Sequence, residues 1–191
     1  MNLLLKIKGI LHIPVYDKSE TSKVRHLVLP YCNGYGADVG FGGDKIKKDA
    51  VGIDLAVPYT RTGKDKVDIV CDLSKEKIPV PDNTYDYVYS SHLIEDFEDT
   101  AGIIREFVRI LKPSGNLVLV FPDQFEYEVY CRDKKQLPNP HHIHPNMGLW
   151  FMLLAFERAS QYNFQYKILY ENVCLVDYNV IFVVKIVSKI I

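Results

Sequence analysis

Only ten residues, 41 to 50, separate Gly40 from the strand-like run that begins at Val51. Just before them stands a short apolar run, Ala37-Asp38-Val39, and the turn that follows is glycine-rich: Gly40-Phe41-Gly42-Gly43-Asp44. A crossover between parallel strands needs about 10–12 residues or more. The segment therefore has room for a turn, a strand entry and at most one or two helical turns. Glycine carries no Cβ, so such a turn lets a ligand come close to the backbone. In open α/β sheets, ligands sit beyond the carboxyl ends of the strands, where the strand order reverses. The second run, Val51-Gly52-Ile53-Asp54-Leu55, places a carboxylate at that end. Asp54 there can accept hydrogen bonds from both hydroxyls of a ribose, so the pair of features points to an adenosine-containing ligand.

The rest of the chain supports a sheet of this kind. Val67-Asp68-Ile69-Val70-Cys71 reads as a third strand and Asp86-Tyr87-Val88-Tyr89-Ser90 as a fourth. Ile103, Ile104, Phe107, Val108 and Leu111 recur at helical spacing. Asp99 or Thr100 can cap that helix, and Pro113 and Gly115 stop it. The continuous apolar run Leu117-Val118-Leu119-Val120-Phe121 suits a strand covered on both faces. Residues 122–146 read as a long loop, 147–162 as a second helix, and 164–170 and 179–187 as a closing antiparallel hairpin at one sheet edge. Strands alternating with crossovers give an α/β fold. The expectation is a doubly wound, mostly parallel, seven-stranded sheet in one domain over 1–191. Within it, 36–123 form the cofactor-binding core, 1–30 an N-terminal cover and 122–146 a lid, with the final helix and strands at 147–191. In the cover, Leu3, Leu4, Ile7, Ile10 and Leu11 form one helical face, and Ile13-Pro14-Val15 looks extended.

The dinucleotide fingerprint G-x-G-x-x-G requires a third glycine where this chain has Lys45. The short crossover also leaves little room for a helix whose N-terminus could hold a pyrophosphate. S-adenosylmethionine has no phosphate and is favoured over NAD. Five segments, in order from about residue 36 to 123, resemble class I S-adenosylmethionine-dependent methyltransferases of the type 11 kind. Asp38-Val39-Gly40-Phe41-Gly42-Gly43 resembles the first motif, D-x-G-x-G-x-G, and Gly52-Ile53-Asp54-Leu55 the second. Cys71-Asp72-Leu73-Ser74 is similar to the segment whose acid meets the adenine amine. Pro81-Asp82-Asn83-Thr84-Tyr85-Asp86-Tyr87-Val88 resembles the approach to strand four, and Arg109 to Leu117 the R-V-L-K-P-G-G-x-L signature. The resemblance implies S-adenosyl-L-methionine as cofactor, held by Asp38, Gly40, Phe41, Gly42, Gly43, Asp54, Leu55, Asp72, Leu73, Ser90 and Ser91. The chain departs from the pattern at Asp44 and Ser114, where glycines are usual, and at Glu95-Asp96, where Glu-His is frequent.

The reaction this implies is in-line methyl transfer, with His92, His144 and Asp123 as candidate bases for an oxygen nucleophile. No metal is expected in the His141-His142-Ile143-His144 run, because close ligands within one loop rarely suffice without carboxylates. Asn139-Pro140-His141-His142-Ile143-His144 is similar to a stretch in bacterial members associated with cell-surface sugar or secondary metabolism. The D/N-P-P-Y signature of amine methylation on DNA or protein amides is absent, since strand four runs into Ser90-Ser91-His92-Leu93. Cys32 and Cys71 lie in no Pro-Cys context, against cytosine chemistry. A small-molecule or saccharide acceptor is expected. A formal net charge of -1 argues against a dedicated nucleic-acid partner. Cys32, Cys71, Cys131 and Cys174 form no C-x-x-C pair, which fits reduced thiols. With no membrane-length apolar run and no leader-like start, a cytoplasmic enzyme is expected; its oligomeric state is open. A non-catalytic adenosyl-binding module, an NAD-dependent oxidoreductase and a metal-dependent hydrolase are the alternatives.

Overall fold

The computed structural model describes residues 19–59 and 61–190. The apolar face at Leu3 to Leu11 and the extended Ile13-Pro14-Val15 lie outside the described residues. Seven strands form one sheet: β1 (Gly36–Val39), β2 (Val51–Asp54), β3 (Ile69–Val70), β4 (Tyr85–Ser91), β5 (Leu111–Pro122), β6 (Phe164–Val176) and β7 (Asn179–Lys189). Their order is β3-β2-β1-β4-β5-β7-β6. The first five are mutually parallel, and β7 runs antiparallel to both β5 and β6. The order reverses between β1 and β4, which pair in register from Gly36 with Tyr87 to Val39 with Ser90.

Side-chain alternation explains why both faces of the sheet are dry. In β5, Leu117, Leu119 and Phe121 join one core, while Val118 and Val120 join the other. In β7, Phe182 and Val184 face the first core, and Ile181 and Val183 the second. Two helices cover the first face: α2 (Thr100–Ile110) with Ile104 and Phe107, and α4 (Leu149–Ser160) with Met152 and Phe156. Helix α2 starts where the sequence suggests, with the Asp99 side chain accepting from Gly102 N at 2.8 Å. It ends at Ile110, two residues ahead of the one that precedes proline, where helical backbone is disfavoured. The second face is covered by α1 (Glu20–Val28), which packs Val24 and Val28 against Tyr87, Tyr89 and Ile46.

No helix forms over residues 41–50, which run as turns and bends. One expectation needs correcting. Residues 122–146 are not a continuous loop, because Gln124–Lys134 forms a helix, α3. Only Gln124, Tyr127 and Cys131 of it are buried, so its sequence shows no apolar stripe to mark it. The closing hairpin is longer than its apolar runs suggest. Its outer strand β6 ends the sheet and breaks register with β7 at three places. No described helix is long and apolar enough to cross a membrane.

Candidate functional site

The reversal of strand order opens a cleft at the carboxyl ends of β1 to β4. Val39, Gly40 and Gly42 line it from the first turn, Asp54 and Leu55 from the second, and Asp72 and Leu73 from the third. Gly40, Gly42 and Gly43 all have left-handed backbone, with φ of 72°, 57° and 86°. A Cβ on Gly40 would come within 2.7 Å of a Leu93 methyl carbon. Gly43 serves a different purpose: a Cβ there would lie 2.7 Å from the Gly63 carbonyl oxygen, away from the cleft.

The departure at Asp44 has a physical account. Its carboxylate pairs with Arg25 Nη2 at 2.7 Å and accepts from the Ser19 hydroxyl. The turn is thereby tied to α1 by charge, and Gly43, not residue 44, takes the left-handed backbone. Asp38, fully buried in β1, holds the same turn from inside. Its Oδ2 accepts from Ile46 N at 2.6 Å, and burial pushes its carboxyl well above the usual carboxylate range. Asp38 does not reach the cleft wall. Ser90 does not either: its buried hydroxyl donates to Val39 O at 2.9 Å, stitching β4 to β1.

Asp54 is placed by two backbone donors. Gly42 N reaches its Oδ2 at 3.0 Å and Leu55 N its Oδ1 at 2.7 Å. A carboxylate accepts about four hydrogen bonds, so each oxygen keeps capacity toward the cleft. Burial raises the Asp54 pKa, against these two bonds. Asp72 is more heavily engaged, with Lys75 at 2.6 Å and both the backbone and hydroxyl of Ser74. The lysine and Ser74 pull its pKa down to about 2. Sequence reasoning missed two further parts of this wall. Tyr59 and His141 stack with ring centroids 4.7 Å apart, joining two loops beside the cleft. Asp96 lines it too; burial, with Glu95 adjacent, pushes its carboxyl up to about 7. Neither loop pairing carries any sequence periodicity.

A second cavity lies on the other side of the glycine turn. Glu20, Ser91, Tyr127, His142 and Tyr178 line it, and so does Phe41, whose ring packs beside Gly52. Gly40, Gly42 and His92 border both cavities. His92 has left-handed backbone (φ 51°) at the exit of β4. Its Nε2 lies 2.7 Å from Asn179 Oδ1, and its Nδ1 3.3 Å from Glu95 Oε1. Burial opposes its charged form, but Glu95, Glu20 and Asn179 together outweigh burial and raise its pKa to about 9. The other two candidate bases stand elsewhere. His144 Nε2 sits 2.7 Å from Phe97 O, with its ring against Phe151, and Asp123 caps α3 by accepting from Glu126 N. Neither lines either cavity.

Residues 34–119 match the family model described as a methyltransferase domain. The chain is 29% identical to phosphoethanolamine N-methyltransferase 3 of Arabidopsis thaliana over 119 residues, 59% of this chain and 22% of that protein. It is 28% identical to a probable S-adenosylmethionine-dependent methyltransferase of Mycobacterium tuberculosis over 140 residues, 65% of this chain and 51% of that protein. The chain thus spans between about a fifth and a half of the length of these curated relatives. Its fold is shared with the PH0226 protein of Pyrococcus horikoshii, at a TM-score of 0.61 and 19% identity, covering 95% of this chain and 98% of that one. A methyltransferase from Archaeoglobus fulgidus superposes with a TM-score of 0.60 at 15% identity, covering 96% and 100%. The matched segment begins just before β1 and ends within β5, so it contains the ends of β1 to β4 that build most of the first cleft, and over that segment the chain is similar to S-adenosylmethionine-dependent methyltransferases.

Proposed function

We propose that this chain binds S-adenosyl-L-methionine in the cleft at the ends of β1 to β4 and transfers its methyl group to a small molecule or saccharide held in the adjoining cavity. The observation that carries this is the shared wall. Gly40, Gly42 and His92 border both spaces, so occupants of the two would meet across a turn with no side chain at either glycine.

The cleft fits the cofactor. Asp54 keeps acceptor capacity for the two ribose hydroxyls, while Leu55 and Leu73 offer apolar contact for the adenine. Gly40 lets the cofactor approach the β1 turn. Asp72, already neutralised by Lys75, is assigned a weaker adenine contact. Asp38, Phe41, Gly43 and Ser90 act by fixing the turn and strand ends, and Ser91 borders the acceptor cavity.

Bound there, the cofactor supplies a methyl group on a positively charged sulfur, which is already a good leaving group. The chain's own contribution is alignment and exclusion of water. The acceptor cavity presents Glu20, Asn139, Gln136 and the phenols of Tyr127 and Tyr178, a polar and aromatic lining suited to a small polar acceptor. Its nearest titratable neighbour shared with the cofactor cleft is His92. We also place the chain in the cytoplasm, where its four unpaired cysteines stay reduced.

Calorimetric titration tests the reading. S-adenosylhomocysteine should bind stoichiometrically and NADH should not. A screen of amines, phenols and sugars with methyl-labelled cofactor should then transfer label to at least one class. Binding of NADH in preference to S-adenosylhomocysteine would overturn the assignment. Tight cofactor binding without turnover on any class would favour the non-catalytic module.

A further inference from the structure

We propose that His92, Glu95 and His142 form a binding site for one divalent transition-metal ion of the zinc type, set in the wall between the two cavities. The residues come from two stretches: His92 and Glu95, three apart, from the exit of β4 and the short 3-10 helix Ile94–Asp96, and His142 from the loop after α3. One donor atom from each lies within 4.8 Å of the others.

The spacing discriminates between two explanations. His92 Nδ1 is 3.3 Å from Glu95 Oε1, and His142 Nε2 is 3.6 Å from the same oxygen. Charge-assisted N–H···O bonds are shorter, about 2.7–2.9 Å. Ligands about 2.1 Å from a tetrahedral zinc ion stand about 3.4 Å from one another. These two separations match the edges of a coordination tetrahedron better than they match direct hydrogen bonds, and the third, between the two rings, is within 4.8 Å. Glu95 is fully buried, and neither of its oxygens has a hydrogen-bond partner among the described residues. A buried carboxylate without a donor or a cation is costly.

The outer contacts fix which ring nitrogen faces the carboxylate. His92 Nε2 lies 2.7 Å from Asn179 Oδ1, and His142 Nδ1 lies 3.1 Å from Gln124 Oε1. Both amides have assignable orientations. Asn179 Nδ2 donates to Glu20 Oε2 and Val176 O, and Gln124 Nε2 donates to Glu128 Oε1. The amide oxygens therefore face the rings, and each ring donates an N–H to an amide. His92 Nδ1 and His142 Nε2 are then the ring nitrogens that face Glu95. With an ion in place all three atoms would serve as its donors, and each histidine already has the kind of outer partner that orients metal-binding imidazoles. A proton on His92 would relieve only one side of this arrangement, since His142 would still oppose the carboxylate with a lone pair.

Two histidines and one carboxylate are a donor set of catalytic zinc sites, in which a fourth position takes water or substrate. His92 and His142 both line the acceptor-side cavity, so an acceptor hydroxyl reaching the ion from that side would lose its proton more readily. That use rests on the function proposed above; the metal site itself does not. The neighbouring histidines are engaged elsewhere, His141 on Tyr59 and His144 on Phe97 O.

The test uses the full chain, stripped with chelator and titrated with cobalt(II) while visible absorption is followed. One equivalent should bind with the absorption of a tetrahedral site, and zinc(II) should displace it. Glu95→Gln and His142→Ala should each weaken cobalt binding at least tenfold, whereas His144→Ala should leave it unchanged. Circular dichroism and thermal unfolding on every variant establish that the fold persists. A folded parent chain that takes up neither ion stoichiometrically would overturn the proposal, as would variants that bind cobalt as the parent does. Failure of S-adenosylhomocysteine binding with cobalt binding intact would instead count against the methyltransferase reading alone.

Discussion

Replacing Asp54 by alanine separates the task its backbone contacts show from the ribose contact proposed for it. In the cofactor-free chain it accepts from Gly42 N at 3.0 Å and Leu55 N at 2.7 Å, holding the glycine turn against the end of β2. Hydrogen bonds to a charged acceptor contribute about 1.5–3 kcal/mol each. Both donors lie beside an open cleft and can rehydrate, so the loss of stability should be smaller than the sum, about 1–3 kcal/mol. The ribose hydroxyls would lose their acceptor as well. At about 1.4 kcal/mol per tenfold, that adds a drop of roughly ten- to a hundredfold in S-adenosylhomocysteine affinity. Thermal unfolding reads the first effect and calorimetry at a temperature well below the transition reads the second. Asp54→Asn should lose less affinity than Asp54→Ala, because one oxygen remains for Gly42 N or a hydroxyl. A folded Asp54→Ala chain that binds the cofactor product as tightly as the parent would refute the ribose assignment.

Gly40→Ala should weaken S-adenosylhomocysteine binding and lower thermal stability together, because its Cβ would press on Leu93 at a left-handed φ of 72°. For Asp38 the sign follows from a folded pKa raised by burial: the unfolded carboxyl gives up its proton first, so stability falls as pH rises from about 4 toward the folded pKa. Asp38→Asn, which can still accept from Ile46 N, should flatten that slope in denaturant titrations across pH; an unchanged slope would show that another group sets it. Burial pushes the Cys32 thiol up to about 12 and Cys71 to about 11 and raises Cys174 too, but Cys174 is the one of the four that is not buried, so at pH 8 a thiol reagent should modify it first, with all four reacting in denaturant.

Residues with a repeating environment were the legible ones. The run from Leu117 to Phe121 announces a strand buried on both faces, and its side chains alternate between the two cores. Ile103, Ile104, Phe107 and Val108 mark α2 because one face of that helix carries the contact. Helix α3 escaped notice because it buries only three scattered positions, one of them Gln124. The glycine turn and Asp54 were legible because a tight turn needs particular residue types close together. Glu95 was visible only as a departure from a pattern, since what gives it meaning is His142 arriving from a distant loop. Nor did the spacing of His141, His142 and His144 reveal that each ring turns toward a different partner.

Strand β6 is the outer edge of the sheet, thirteen residues long, and exposes Ile168, Leu169, Val173 and Leu175. A flat edge of that length and character is a template on which another chain can add its own strand. The three breaks in register with β7, one of them beside the left-handed Cys174, keep this ladder from being even. Bulges of this kind bend an edge and increase its local twist, so an incoming strand finds only short stretches in register. Deleting a single residue at one break would lengthen the regular stretch, and the chain would then be prone to fibrous self-association at concentrations where the parent stays in solution.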